Sequence, residues 1–175
     1  TTTTLAPAEP STFEEVDCWW DLPEDHPATV AVACGTVDVP SDASDPGSEP
    51  VSLAVARFHH EDADPDEPPT VLLHGGPGGN ALAAPLGIGD GSLLAERDLI
   101  TFDQRGSGRT TPSLECPEKE DAILDALTAA DPWADEHAAV RDATETCRDR
   151  LVEEGVDLDQ YDTPTSVHDM EVLRE

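Results

Sequence analysis

Two short runs of sequence decide the fold of this chain: HGGPGG at residues 74–79 and DQRGSGRT at residues 103–110. Each run directly follows a short apolar segment, TVLL at 70–73 and DLITF at 98–102. Short apolar segments that end at glycine-rich turns are typical of buried strands. Both runs are therefore predicted to be loops at the carboxyl ends of buried strands, where ligands bind in α/β sheets.

The segments around these runs predict further strands and then helices. Residues 29–39 are rich in valine, and residues 51–58 alternate apolar with polar or small residues. We expect these two strands to pair as a hairpin across a polar turn at 41–50. The other predicted elements are a surface loop at 59–69, helical turns at 91–96, and helices at 118–129 and 134–153. Four strands followed by helices predict an α/β fold. The four strands are expected to form only the N-terminal half of the sheet. Half a sheet would leave an apolar edge strand exposed, so the fold is expected to be incomplete without a following segment.

A last helix is predicted near residue 163. Its N-terminus has two candidate caps: Thr163 with Pro164 at the first helical position, or the pair of Ser166 and Asp169. The residues predicted to form its buried face are Val167, Met170 and Leu173.

The glycine-rich run at 74–79 has three possible interpretations. The first is an oxyanion hole, in which the backbone N–H of Gly76, together with that of Gly75, faces a developing negative charge. The second is a phosphate-binding loop, but no Gly-Lys-Ser/Thr follows and the sole lysine, Lys119, is distant in sequence. The third is a plain tight turn. The second run favours the oxyanion hole; Pro77 has no N–H to donate and is expected to fix the turn.

No nucleophile accompanies this predicted oxyanion hole. Gly-x-Ser-x-Gly occurs nowhere in the 175 residues. Ser107 lies between two glycines but lacks that frame and an assignable base, so it is not expected to be a nucleophile. Asp103 and Arg105 are predicted to fix their loop through a charge-assisted hydrogen bond or through backbone contacts.

The two runs together resemble the first half of one branch of the α/β-hydrolases, the proline iminopeptidase and secreted tripeptidyl aminopeptidase group. That group carries a His-Gly-Gly-Pro-Gly-Gly loop and then an Asp-Gln-Arg-Gly-x-Gly-x-Ser/Thr loop, and position 110 is Thr110 here. Further matches to the tripeptidyl aminopeptidases are Cys18 and Trp19 and the segments 34–40, 53–57, 113–117 and 167–174. The resemblance covers residues 16–175.

The resemblance implies the N-terminal part of a secreted serine hydrolase that releases residues or short peptides from peptide N-termini. Its Ser-Asp-His triad would lie beyond Glu175, on a C-terminal segment or a second chain, so the fragment alone is expected to be inactive. His74 would then structure its loop through ring hydrogen bonds. The alternatives are an esterase on the same scaffold, acting on ester instead of peptide substrates, and a non-catalytic hydrolase-like binding chain.

Charge excludes several classes of partner. The chain has 39 acidic and 9 basic residues and a formal charge of −30, which repels nucleic acid and anionic lipid surfaces. High-salt adaptation and a plain compositional bias both explain this acidity. No apolar stretch has the length of a membrane span. No cofactor or metal is expected: adjacent residues such as His59 and His60 point to opposite faces of an extended segment and rarely share an ion.

The four cysteines are Cys18, Cys34, Cys116 and Cys147. They allow three disulfide connectivities, among which the residues alone do not choose; the resemblance implies Cys18–Cys34 and Cys116–Cys147. Disulfides indicate an oxidising compartment. Residues 1–15 are predicted to be a flexible stalk, as is left after removal of an export signal, and 16–175 the catalytic domain's N-terminal part. A fragment boundary explains the N-terminus equally, and the location is predicted as secreted or cell-surface.

Overall fold

The computed structural model describes residues 12–22, 24, 28–64, 66–76, 78–83, 97–128 and 132–174, except the side chains of 132–136. The chain divides into two compact units. The first contains residues up to Ser113 and those from Gln160 onward, and the second is Leu114–Asp159. The predicted helical turns at 91–96 lie outside the described residues.

The first unit is built on a long antiparallel hairpin. Strand β2 (Val30–Pro40) pairs with β3 (Pro50–His60) along their whole length, from Val30 opposite His60 to Pro40 opposite Pro50. Two hydrogen bonds close the turn between them. The Ser41 N–H donates to the Glu49 carbonyl, and the Asp42 carboxylate accepts the backbone N–H of Ser44. The predicted hairpin is confirmed. It is longer than predicted, so His59 and His60 belong to a strand instead of a surface loop.

Three further strands complete a mixed sheet in the order β1-β2-β3-β5-β4. They are β1 (Phe13–Val16), β4 (Thr70–Leu72) and β5 (Leu99–Phe102). Strands β4 and β5 are parallel, whereas the other neighbours are antiparallel. Strand β1 was not predicted, and residues 13–15 fall within the predicted stalk. The stalk's residues 1–11 lie outside the described part.

An apolar cluster lies on each face of this sheet, since successive side chains of a strand point to opposite faces. On one face, the buried Ala54, Ala56 and Phe58 pack with Leu82, and the two tryptophans at 19 and 20 cover them. On the other face, Leu53 and Val55 pack with Val172 of helix α3 (Thr163–Arg174). This arrangement of a mixed sheet and helices fits the predicted α/β fold.

Helix α3 begins differently from both predicted caps. The Asp162 carboxylate accepts the backbone N–H and the hydroxyl of Thr165, at 2.9 and 2.7 Å, so Asp162 is the N-cap. Neither Thr163 nor the pair of Ser166 and Asp169 caps this helix. The predicted buried face is also wrong in part: Val167 is exposed, whereas the buried residues are Thr165, His168, Asp169 and Val172.

The second unit is a helical hairpin of α1 (Pro117–Thr128) and α2 (Pro132–Glu153). A disulfide joins Cys116 to the buried Cys147 of α2. Beside it, the Arg150 guanidinium donates to the Glu118 carboxylate and to the Glu115 carbonyl. The other disulfide, Cys18–Cys34, belongs to the first unit, so both pairings implied by the resemblance are present.

None of the helices described combines the length and the apolarity that crossing a bilayer requires.

The Asp162 cap predicts a pH-dependent stability. Hydrogen bonds from Thr165 hold the pKa of Asp162 below its ordinary value. Because a depressed folded pKa stabilises the charged form, the contribution is fully present above the unfolded value, about 3.9, and is lost as the pH falls through the lower folded value. Asp162→Ala should therefore lower the free energy of unfolding at pH 7, and the difference from wild type should shrink as the pH falls below about 3.9.

The matched control is Asp162→Asn, which caps helices as well as aspartate does but carries no titrating group. Urea denaturation across this pH range should show Asp162→Asn close to wild type at pH 7. An Asp162→Ala deficit that is independent of pH would contradict the assignment.

Candidate active-site loops

The two runs at 74–79 and 103–110 follow neighbouring parallel strands and lie at the same end of the sheet. Strands β4 and β5 are parallel, with Leu72 opposite Thr101, so the loops that follow them leave side by side. We call residues 74–79 the glycine loop and residues 103–110 the arginine loop. The side-chain amide of Gln104 donates to the carbonyl of His74 at 3.1 Å, which ties the two loops together directly.

The glycine loop presents its backbone to solvent. Residues 74–76 and 78 are exposed, and among the described residues the N–H groups of Gly75 and Gly76 have no hydrogen-bond acceptor. A Cβ at Gly75 would meet no atom within 4 Å, whereas one at Gly76 would lie 2.7 Å from the backbone nitrogen of Gly79. Gly78 has a φ of 78°, which favours glycine. Pro77 lies outside the described residues.

His74 contacts its own loop. Its Nδ1 lies 2.8 Å from the Gly75 carbonyl oxygen, a hydrogen bond when that nitrogen carries the proton. The ring is exposed. This is the kind of contact expected of a loop-structuring histidine, and the role of His74 stays a prediction.

Asp103 connects the segments on either side of the site. Its side chain is fully buried, and its two oxygens accept the backbone N–H groups of Leu82 at 3.0 Å and Arg109 at 2.9 Å. Its own carbonyl accepts the Thr110 hydroxyl at 2.7 Å. Of the two predicted modes, Asp103 thus uses backbone contacts, and its carboxylate partners do not include Arg105.

Arg105 points away from Asp103 and is satisfied at every donor. Its Nε and Nη2 donate to the two carboxylate oxygens of Asp169, at 2.8 and 2.6 Å. The remaining donors bind three backbone carbonyls, those of Pro40, Ser41 and Gln160. The side chains of Arg105 and Asp169 are 2% and 1% exposed. A planar guanidinium with five donors suits such a site, where lysine would leave acceptors unpaired.

Sequence reasoning did not predict Asp169 as a site residue; it considered Asp169 as a capping residue and as part of the family-like segment 167–174. It lies 64 positions after Arg105. A signal was present, because Asp169 shares one helix face with Thr165 and Val172, where a carboxylate is buried only with a partner. Burial raises the pKa of the Asp169 carboxyl, while the hydrogen bonds and the charge of Arg105 act in the opposite direction.

Two small residues fit the arginine loop closely. Gly108 has a φ of 55°, and a Cβ there would clash with the Asp103 carboxylate and lie 2.9 Å from Cγ of Asn80. The Ser107 hydroxyl donates to the Gln104 carbonyl at 2.8 Å. Ser107 is thus part of the loop's internal bonding, and its exclusion as a nucleophile stays a prediction.

One group of potential metal ligands lies close together in the described part of the chain: Cys116, Glu118 and Cys147. Both sulfurs are joined in a disulfide. A metal is bound by a thiolate, so this group does not form a metal site in the oxidised protein.

Curated relatives carry names that fit this geometry. The chain is 34% identical over 153 residues to carboxylesterase B of Mycobacterium tuberculosis. This matched region covers 81% of the chain and 28% of carboxylesterase B. It is 33% identical over 92 residues to proline iminopeptidase of Arabidopsis thaliana, covering 53% and 23%. These relatives support an α/β-hydrolase family. No protein-family model matches the chain.

The hydrolase relatives are much longer than the matched region. The chain spans 28% of carboxylesterase B and 23% of the iminopeptidase. Both names denote hydrolases and support a hydrolase in general. One relative is named an esterase and the other an iminopeptidase.

The ion pair in the arginine loop predicts strong coupling between its two members. Asp169→Leu should lower the free energy of unfolding by about 3–5 kcal/mol, because it leaves the Arg105 charge buried without a counterion. Arg105→Met should cost a similar amount. The double variant should cost clearly less than the sum of the two, since it buries no charge, although three backbone carbonyls lose their donor.

Denaturant unfolding of the four proteins in a double-mutant cycle measures this coupling. Additive losses would show that the two side chains do not depend on each other.

Proposed function

We propose that this chain belongs to a serine hydrolase that cleaves acyl bonds through an acyl-enzyme, with the glycine loop as its oxyanion hole. One observation carries the proposal. The backbone N–H groups of Gly75 and Gly76 are in an exposed loop at the carboxyl end of a parallel strand. They have no acceptors among the described residues. Such preorganised donors stabilise the oxyanion of a tetrahedral intermediate.

The chemistry follows from the charge that these donors would meet. When a serine attacks an acyl carbon, the carbonyl oxygen becomes negatively charged and needs N–H groups at about 2.7–3.1 Å. A histidine takes the serine proton and an aspartate orients the histidine. We assign the oxyanion contact to Gly76, with Gly75 beside it where the absence of a side chain leaves room for substrate.

We propose that the triad lies on the remainder of the hydrolase. The sequence has no Gly-x-Ser-x-Gly, and the matched relatives are several times longer than the matched region. Strand β4 supports this proposal, because it lies at the edge of the described sheet, and its residues Val71 and Leu72 and the following Leu73 are 38–49% exposed. Parallel strands are ordinarily covered on both faces and flanked by further strands. Residues 16–175 are accordingly proposed as the N-terminal part of the catalytic domain.

Two substrate classes follow from the comparisons. An exopeptidase that acts at peptide N-termini agrees with the loop motifs and with the iminopeptidase relative. An esterase agrees with carboxylesterase B, whose match covers more of this chain. The two disulfides agree with export to an oxidising compartment, so a secreted or cell-surface hydrolase is proposed in either case.

A fluorophosphonate probe tests the serine chemistry on the complete protein. It should label one serine outside residues 1–175, and turnover of aryl esters and of N-terminally free peptide amides should then distinguish the substrate classes. Absence of labelling and of turnover would favour the non-catalytic binding chain and refute the proposal.

Gly76→Ala tests the role of the glycine loop. Because the new Cβ crowds the backbone nitrogens of Gly78 and Gly79, we expect kcat to fall by about 10²–10³-fold, the loss typical of an oxyanion-hole donor. Gly47→Ala in the β2–β3 turn, where a Cβ makes only an ordinary contact, is the matched control. An unchanged kcat in Gly76→Ala would show that the loop does not serve the reaction.

A further inference from the structure

The glycine loop has a support that the sequence motifs do not include. The indole Nε1 of Trp20 donates to the carbonyl of Leu82 at 3.2 Å, across 62 positions of sequence. Leu82 is fully buried and comes three residues after Gly79, the last residue of the loop. The carboxyl side of the glycine loop is therefore held by a residue from the N-terminal region.

The backbone around Leu82 is fixed from both sides. Its N–H is shared by the side-chain oxygens of Asn80 and Asp103, each at 3.0 Å. Its carbonyl takes the Trp20 indole. Because Asp103 also holds the Arg109 N–H, this short segment is braced between the arginine loop and Trp20.

Trp20 is itself held firmly. Its ring stacks on Phe58 of β3, with centroids 6.4 Å apart. Two residues earlier, Cys18 is joined by a disulfide to Cys34 in the middle of β2. Because Trp20 is held to the sheet in this way, its hydrogen bond fixes the position of Leu82 relative to the sheet.

We propose that Trp20 is a positioning residue for the oxyanion hole, acting through its indole N–H on the Leu82 carbonyl. The inference rests on the proposed function and deepens it. Donors of an oxyanion hole act only where the charge develops. A displacement of the loop therefore weakens the stabilisation of the transition state more than it weakens substrate binding. A misplacement of about 1 Å can cost 10²-fold in rate.

The experiment compares two neighbouring tryptophans in the complete protein. Trp20→Phe keeps an aromatic ring but removes the N–H. The matched control is Trp19→Phe, since Trp19 meets the Arg109 guanidinium with the face of its ring, 5.5 Å from the centroid, and phenylalanine preserves that contact. Replacing Trp20 by benzothienylalanine, which keeps the size of the indole and lacks only the N–H, separates the hydrogen bond from packing.

We expect kcat for an aryl ester to fall by about 10–100-fold in both Trp20 variants, with KM and the melting temperature of the benzothienylalanine variant close to wild type. Trp19→Phe should retain wild-type kcat. A wild-type kcat with benzothienylalanine, equal losses in the Trp19 and Trp20 variants, or a change in KM alone would overturn the inference. A wild-type protein that neither reacts with a fluorophosphonate nor hydrolyses esters would instead refute the proposed function.

Discussion

The buried carboxylate of Asp103 accepts the backbone N–H of Arg109 in the arginine loop and that of Leu82 in the segment that follows the glycine loop. Burying a carboxylate without hydrogen-bond donors is costly, so the arginine loop and the segment after the glycine loop must each bring an N–H to this point. The glycine at 108 follows from the same constraint, because a side chain there would occupy the place of the carboxylate. Asp103 thereby sets the path of the arginine loop and of the segment that follows the glycine loop.

Arg105 extends this frame in the opposite direction. Its five donors bind Asp169 on α3 and three carbonyls from the end of β2, the following turn and the segment before α3. A buried ion pair of this kind contributes little net stability compared with apolar packing, but its geometry tolerates few alternatives. The loop is therefore fixed to the helix on one side and to the glycine-loop segment on the other. Such rigidity suits donors that must be in place before charge develops.

The sequence predicted the hairpin and the two parallel strands, whose signals are alternation, apolar segments and turn residues. Valine-rich alternation and a polar turn predicted the β2–β3 hairpin, and apolar segments before glycine-rich loops predicted β4 and β5. Strand β1 was missed because FEEV at 13–16 is short and exposed, and its strand character comes from pairing with β2. The partner of Arg105 and the Trp20–Leu82 contact were missed because 64 and 62 positions separate their members. The cap of α3 was misplaced because Asp162, Thr163 and Ser166 are all acceptable caps, and tertiary packing of the helix decides among them.

The oxyanion-hole proposal requires that Gly76 faces the developing oxyanion of an acyl-transfer reaction. A crystal structure of the complete protein carrying a fluorophosphonate adduct on its reactive serine tests this most directly, because the phosphonyl oxygen occupies the oxyanion position. We expect this oxygen to lie about 2.7–3.1 Å from the backbone nitrogen of Gly76. A phosphonyl oxygen bound by other donors, with the glycine loop turned away from the adduct, would contradict it.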